Sequence, residues 1–330
     1  MVKKVAINGF GRIGRMVVRA GIDDPKIEFV ACNDLTDKET LAYLFKYDSV
    51  HGKFDGKVDV YEEGLIINDK KIKVLAEKDP TQLPWADLKI DVVIESTGRF
   101  RTKELAEQHI TAGAKKVIMS APPKGPDVKT IVFGVNEHTY DSAKHHVVSN
   151  ASCTTNCLAP IVKILDDNYG IKFGYMTTVH AYTGDQRLVD APNADLRRGR
   201  AAAANIVPTT TGAAKATGEV IPNLKGKLDG IAIRVPVVNG SLTDFVCELE
   251  HTPTIKELNA LVKSVAEHHM KKILEYQDEP LVSTDIIGNP HSSIFDSKFT
   301  RIEGNLVKVI AWYDNEWGYS NRVVDLIKLL

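Results

Sequence analysis

Cysteine is the first residue type to weigh, because its thiolate is a strong nucleophile near neutral pH. The chain has four: Cys32, Cys153, Cys157 and Cys247. Cys32 and Cys247 lie within apolar, strand-like runs and read as small buried residues. Cys153 differs. The stretch Ser149-Asn150-Ala151-Ser152-Cys153-Thr154-Thr155-Asn156-Cys157 passes from a strand end into a helix. That puts Cys153 at a helix N-terminus, where the dipole is expected to lower the thiol pKa. Cys157, one turn further along the same face, reads as packing. A base is needed, and ten histidines are available. A helix over 153–169 runs roughly 24 Å at about 1.5 Å per residue. A strand over 173–180 returns roughly 26 Å at about 3.3 Å per residue. The lengths nearly cancel, so His180 is expected beside Cys153. His145-His146 and His268-His269 sit in polar surroundings and read as surface. A Cys–His pair alone suits a cysteine hydrolase equally well.

A second motif argues against a hydrolase. Gly9-Phe10-Gly11-Arg12-Ile13-Gly14 follows the apolar run Val5-Ala6-Ile7 and opens an amphipathic helix, and Asp34 ends the next apolar run twenty residues after Gly14. Gly9 would permit the tight turn, Gly11 the approach of a pyrophosphate, and Gly14 close helix–sheet packing. The helix start offers free N–H groups to phosphates. Asp34 can accept from the adenosine ribose hydroxyls. Together these predict a Rossmann-type NAD site, and a hydrolase has no use for a hydride acceptor. Downstream, Thr183, Arg197-Arg198, Thr209-Thr210-Thr211-Gly212 and Arg234 supply hydroxyls, a backbone N–H and guanidinium groups. Phosphate recognition requires such groups.

These residues need a scaffold, and the chain's rhythm describes one. Val5–Asn8, Glu28–Asn33, Val92–Thr97, Val117–Ser120 and Val147–Ser149 read as strands, with helices at Arg12–Ala20, Thr40–Tyr47 and Lys103–Ala112. That alternation predicts an α/β, mostly parallel sheet. Tyr61–Val74, turning at Asn68-Asp69, reads as an inserted antiparallel hairpin. After residue 150 longer strands follow at Gly174–Thr183, Gly230–Val238 and Ser241–Leu249, with helices at Cys153–Tyr169 and Ile255–His268. These predict an α+β catalytic domain with a mostly antiparallel sheet.

Composition narrows the function classes. A net charge of −1 over 330 residues gives no global field toward nucleic acid or anionic lipid. The first apolar run is too short for a signal peptide, and nothing approaches a membrane span. The scattered cysteines suggest neither a disulfide framework nor a zinc site, so no metal is expected and a reducing cytoplasm fits.

Several segments are similar to phosphorylating glyceraldehyde-3-phosphate dehydrogenases. They are Ala6–Arg15, Ala151–Pro160, Thr177–Thr183, Pro208–Lys215 and Trp312–Asn321, collinear along nearly the whole chain. The resemblance implies oxidation of D-glyceraldehyde 3-phosphate to 1,3-bisphosphoglycerate, a step of glycolysis and gluconeogenesis. Cys153 would form a hemithioacetal and then a thioester, with His180 as acid–base. It also implies that Thr183 and Arg234 hold the substrate phosphate. Ser152, Thr154, Arg198, Thr211 and Gly212 would hold inorganic phosphate. Asn315 would orient the nicotinamide, and Arg12, Ile13, Asp34, Lys78 and Ser120 would line the dinucleotide cleft. It further implies a homotetramer with the segment 182–200 at an interface. Residues 1–151 would form the NAD-binding domain, completed by a C-terminal helix at 319–330, and 152–318 the catalytic domain.

One departure concerns cofactor choice. Ala191-Pro192 stands where NAD-specific bacterial members usually carry Leu-Pro. Alanine there resembles NADP-accepting members, but those carry serine next. Two other readings remain open on sequence: an erythrose-4-phosphate dehydrogenase of the same fold, and a non-catalytic NAD-binding interaction protein.

Overall fold

Strand-forming runs and helix signals alternate along the first 150 residues, and the computed structural model, which describes residues 2–330, follows them closely. In chain order the elements are β1 (Lys3–Asn8), α1 (Arg12–Gly21), β2 (Ile27–Asn33), α2 (Lys38–Lys46), β3 (Val58–Tyr61), β4 (Gly64–Ile67), β5 (Lys70–Leu75), β6 (Val92–Glu95), α3 (Lys103–Thr111), β7 (Lys116–Met119), β8 (Lys129–Thr130) and β9 (Val147–Ser149). They form one sheet in the order β3-β4-β5-β2-β1-β6-β7-β9-β8. From β5 to β8 every neighbouring pair is parallel. The chain therefore winds outward from β1 in both directions, and the β1 end faces the crossover where dinucleotides bind in such sheets.

The expected hairpin is a three-stranded antiparallel meander, β3-β4-β5. Its second turn is Asn68-Asp69, both with positive φ (47° and 63°), as a two-residue hairpin turn requires. The extra strand β3 escaped the sequence reading because Val58–Tyr61 is half-exposed and lacks a buried face.

The second sheet uses longer strands. After α4 (Cys153–Tyr169) come β10 (Ile171–Ala181), β11 (Val207–Thr210), α5 (Ala213–Val220), β12 (Leu228–Val235), β13 (Ser241–Leu249), α6 (Ile255–Glu267), β14 (Leu274–Gln277), β15 (Ser293–Glu303), β16 (Leu306–Tyr313) and α7 (Trp317–Leu329). The order is β11-β12-β10-β13-β16-β15-β14. Two pairs are parallel, β10 with β12 and β14 with β15; the rest are antiparallel. Helix α4 buries residues 154–162 continuously and packs on β10, β13, β15 and β16. Gly170 ends it with φ +68°, its N–H donating to the Asp166 carbonyl.

By contact density the chain divides into two units. One holds the residues up to Ile131, His138–Ala151 and Ser320–Leu330; the other holds Val132–Glu137 and Ser152–Tyr319. In the first unit, Val324 meets Gly21 of α1 and Lys328 pairs with Asp24, so the last helix is tied to the first.

Candidate active site

In the first unit, the loop between β1 and α1 is built on close backbone approach. Gly9 takes φ +92°, and a Cβ there would lie 2.8 Å from the Thr97 nitrogen. At Gly14 a Cβ would lie 2.4 Å from the Gly9 carbonyl, so any larger residue would push α1 off the loop. Above Gly11 the space is open. Gly11 is also the N-cap of α1 and has no side chain to close the first turn, which carries no acidic residue. An anion fits there. The Asp34 carboxylate is fixed from both sides, Oδ2 accepting from Phe10 N (2.9 Å) and Oδ1 from Thr36 N (3.1 Å). Acceptor capacity remains on both oxygens. These features suit a dinucleotide.

Beneath the loop lies a buried polar cluster that sequence reasoning missed. Glu95 accepts from Asn8 Nδ2 (2.6 Å) and from Thr97 N (2.8 Å). His109 lies 3.1 Å from the same carboxylate. Trp85 Nε1 donates to His109 Nδ1 (3.1 Å), which leaves the ring proton on Nε2, pointing at Glu95. The side chains of Asn8, Trp85, Glu95 and His109 are almost wholly buried. The cluster joins the ends of β1 and β6, from which the glycine loop departs.

Other expected cofactor residues behave differently from one another. Arg12 makes a bidentate pair with Asp48 (2.5 and 3.2 Å). Burial works against the Asp48 charge, but Arg12 and the N–H groups of His51 and Val50 hold its carboxyl at about 2. Ile13 and Ser120 are half-buried, the latter just past β7, and Lys78 is exposed after β5.

In the second unit, Ser152 caps α4. Its hydroxyl accepts from Thr155 N (3.0 Å), so Cys153 is the first helical residue. The preceding Ala151 holds a left-handed φ of +56°, unusual for a residue with a Cβ. The end of β10 returns His180 beside it, with Cys153 Sγ 3.5 Å from His180 Nε2. His180 Nδ1 donates to the Ala181 carbonyl (2.7 Å), so the Nε2 lone pair faces the thiol. Burial and then the charge of Arg234 push His180 down to about 3, and the imidazole is neutral. The thiol departs from the sequence expectation. It lies above its ordinary value, because burial outweighs Arg234 and the helix-start N–H groups that favour thiolate. The pair is thus a thiol poised to donate to a neutral base.

Cys157 is fully buried against Thr243 (3.5 Å) and Ser293 (3.7 Å), and burial lifts its thiol to about 12. Cys247 is likewise raised to about 12, and Cys32 is raised by burial. Both lie inside strands, β13 and β2.

Strand register explains how the residues expected to bind anions come together. In the β10–β12 pair His180 stands opposite Arg234, on the inner face. Arg234 Nη1 donates to Thr183 Oγ1 (2.7 Å). Arg198 is held by Thr209 Oγ1 (3.0 Å), the Thr210 carbonyl (3.1 Å) and Asp185 (2.6 Å). Thr211 accepts from Ala213 N at the start of α5, whose N-cap is Gly212, without a side chain. Thr154 is buried, and its hydroxyl is engaged with Tyr313 Oη (2.8 Å), which also meets Thr178 Oγ1 (2.9 Å). Thr154 can therefore offer an anion its backbone N–H more readily than its hydroxyl. Tyr313, whose ring edge meets His180, belongs to a segment that resembles the family but carries no site role in the sequence reading. Asn315 accepts from Ser241 Oγ (2.8 Å), which leaves its amide N–H₂ to point elsewhere.

Comparison with known families agrees with this geometry. The model of the glyceraldehyde 3-phosphate dehydrogenase NAD binding domain matches residues 3–103, and that of the C-terminal domain matches 152–315. The chain belongs to the glyceraldehyde-3-phosphate dehydrogenase family. A relative from Geobacillus stearothermophilus, named glyceraldehyde-3-phosphate dehydrogenase, is 58% identical over 99% of this chain and 97% of its own. Glyceraldehyde-3-phosphate dehydrogenase 1 of Bacillus subtilis (strain 168) has the same identity and coverage. The Streptomyces coelicolor protein of that name is 57% identical over 99% of this chain and 98% of its own. Membership makes the chain an NAD-dependent oxidoreductase, with NAD as its cofactor. Neither the erythrose 4-phosphate reading nor the non-catalytic one is favoured by these relatives.

Proposed function

We propose that the chain catalyses the phosphorylating oxidation of D-glyceraldehyde 3-phosphate to 1,3-bisphosphoglycerate. The observation that carries this reading is the Cys153–His180 contact with Arg234, Thr183 and Arg198 gathered around it. Cys153 Sγ attacks the aldehyde carbon while His180 Nε2 takes the thiol proton. His180 Nε2 then returns that proton to the former aldehyde oxygen, which leaves a hemithioacetal on Cys153 and a neutral imidazole. Gly9, Gly11, Arg12, Ile13, Asp34, Lys78, Ser120 and Asn315 would hold NAD, which would supply the hydride acceptor. As the hemithioacetal carbon loses hydride, His180 accepts the hydroxyl proton and a thioester remains. Inorganic phosphate then attacks the thioester carbon, and the sulfur leaves. Arg234 and Thr183 hold the substrate phosphate. Ser152, Thr154, Arg198, Thr211 and Gly212 hold the incoming one, with charge-assisted hydrogen bonds that also favour anionic oxygens in the transition state.

Residues 1–151 with 319–330 form the NAD-binding domain in this reading, and 152–318 the catalytic domain. The protein works in the cytoplasm as a homotetramer. Two features support assembly. The outer face of the second sheet exposes Phe173, Tyr175, Ile231 and Val246 on adjacent strands, and the segment 182–200 exposes Leu188 (82%) and Leu196 (84%). Apolar side chains so exposed and so clustered mark contact surfaces. Among the described residues no helix is long and apolar enough to cross a membrane.

The test is NADH absorbance with glyceraldehyde 3-phosphate, with and without inorganic phosphate or arsenate. Dependence of turnover on either oxyanion is expected. Equal rates without one would mean that the thioester is hydrolysed rather than phosphorolysed.

A further inference from the structure

Three groups assigned above to two different phosphates converge on a single carboxylate. Asp185 Oδ2 accepts from Arg198 Nη1 at 2.6 Å. Asp185 Oδ1 accepts from the Thr183 hydroxyl and lies 3.7 Å from Arg234 Nη1. Thr183 is the link, accepting from Arg234 while donating to Asp185. Arg234 Nε is buried and has no hydrogen-bond partner among the described residues, although its side chain is only 13% exposed. That guanidinium therefore has donor capacity left over in the free chain.

We propose that Asp185 is a resident anion, a positioning residue that holds Thr183, Arg198 and Arg234 in one charge cluster and competes with phosphate for them. The proposal rests on the assignment of those three residues to the substrate phosphate and inorganic phosphate. Two guanidinium groups that share one carboxylate repel each other unless an anion lies between them; Asp195, 3.5 Å from Arg198 Nε, offsets charge at that arginine only. The carboxylate fills that role with two oxygens, as a phosphate would with three, and its side chain is 42% exposed, so it can give way. Displacing it from one arginine changes the charge felt at the other, which couples the two phosphate sites. Asp185 also favours the charged form of His180, so its field reaches the base.

A structural staple would look different. The turn has supports besides this carboxylate: Asn193 Nδ2 donates to the Asp185 carbonyl (2.8 Å) and Thr183 N to Gln186 Oε1 (3.4 Å). Removing the negative charge should leave the turn in place and improve anion binding, a gain that loss of a staple cannot produce.

The test compares full-length wild type with Asp185→Asn and Asp185→Glu. Binding of inorganic phosphate is measured by calorimetry, without turnover, and again by protection of Cys153 from alkylation. Asp185→Asn is expected to bind phosphate roughly tenfold more tightly, the scale of one like charge removed near an anion. The KM for glyceraldehyde 3-phosphate should fall together with kcat, since a phosphate held too well leaves slowly. Asp185→Glu, which keeps the charge, should restore wild-type phosphate affinity. Unchanged or weaker phosphate binding by Asp185→Asn, with a melting temperature near wild type, overturns the proposal. Failure of the proposed reaction would show instead as no NADH formation by wild type, whatever the calorimetry gives.

Discussion

Replacing His180 by asparagine removes the basic atom that faces the Cys153 thiol at 3.5 Å. Asparagine is close in size, and its amide can keep the hydrogen bond to the Ala181 carbonyl. With the base gone the thiol must ionise unaided. Burial already holds it above its ordinary value, so without the base thiolate is disfavoured. Losing this proton transfer together with the one during hydride loss should cost roughly 10²–10⁴-fold. NADH formation gives the turnover, and iodoacetamide labelling at pH 7.5 gives the thiol's reactivity; both should fall. The same variant has a second, independent signature. Folded His180 is pushed down to about 3, chiefly by burial and then by Arg234, whereas an unfolded histidine titrates near 6.5. Between those values the unfolded chain binds more protons, so folded stability falls as pH falls, by up to about 1.4 kcal/mol per pH unit. By pH 4.5 this is roughly 2–3 kcal/mol. His180 contributes fully above about pH 6.5, and the contribution is lost on the acid side. Melting temperature should therefore drop less steeply with acid in His180→Asn than in wild type. Wild-type labelling and turnover in the variant would move the base elsewhere, and parallel melting curves would show that the imidazole is not buried neutral.

Cys153→Ser or Cys153→Ala should abolish turnover while NAD still binds, and Cys157→Ser, whose sulfur meets only buried hydroxyls and carbonyls, should keep most activity. Steady-state kinetics checks both, and substantial turnover without Cys153 would sink the thioester mechanism. Arg234→Leu should chiefly weaken glyceraldehyde 3-phosphate and Arg198→Leu chiefly inorganic phosphate, each by roughly ten- to two-hundredfold. Equal effects of both variants on both KM values would defeat that assignment. Tyr313→Phe removes the hydroxyl shared by Thr154 and Thr178 and should cost about 1–2 kcal/mol of stability, read by denaturant titration; a loss below the error of the titration would mean the two threonines satisfy each other. NAD should be preferred over NADP by roughly a hundredfold or more in kcat/KM. Asp34 would face the 2′-phosphate, and Lys38, the next basic residue, is engaged with the Tyr61 and Glu62 carbonyls (2.8 and 2.7 Å). Comparable values for the two cofactors would show that Ala191 outweighs Asp34.

What was legible in the sequence was local. The glycine loop and Asp34 belong to one β-α-β unit, where hydrophobic periodicity fixes both strands and the helix between them. Cys153 and His180 lie on one helix and the next strand, so their meeting follows from rise per residue and a stop at Gly170. The Asn68-Asp69 turn carries its own backbone signal. The thiol's pKa runs against the sequence expectation because the helix start is a local feature and the burial that outweighs it is not: it comes from packing against strands that lie far along the chain.

The same distinction separates the residues that were named from those that were missed. Thr183, Arg198 and Arg234 could be suspected by residue type, yet nothing in their spacing says that they share a partner. That depends on β10 and β12 pairing in parallel, with His180 opposite Arg234. A parallel neighbour so far along the chain leaves no local pattern. Tyr313 reaches Thr154 and Thr178 only because β16 lies beside β13 and β13 beside β10. Glu95, Asn8 and His109 likewise meet across β1, β6 and α3. In each case an acid or a hydroxyl that looks ordinary in sequence acquires its role from sheet register. Asp185 shows why this bears on function. By residue type it is one more loop acid; placed against two arginines it sets how much positive charge an incoming phosphate meets.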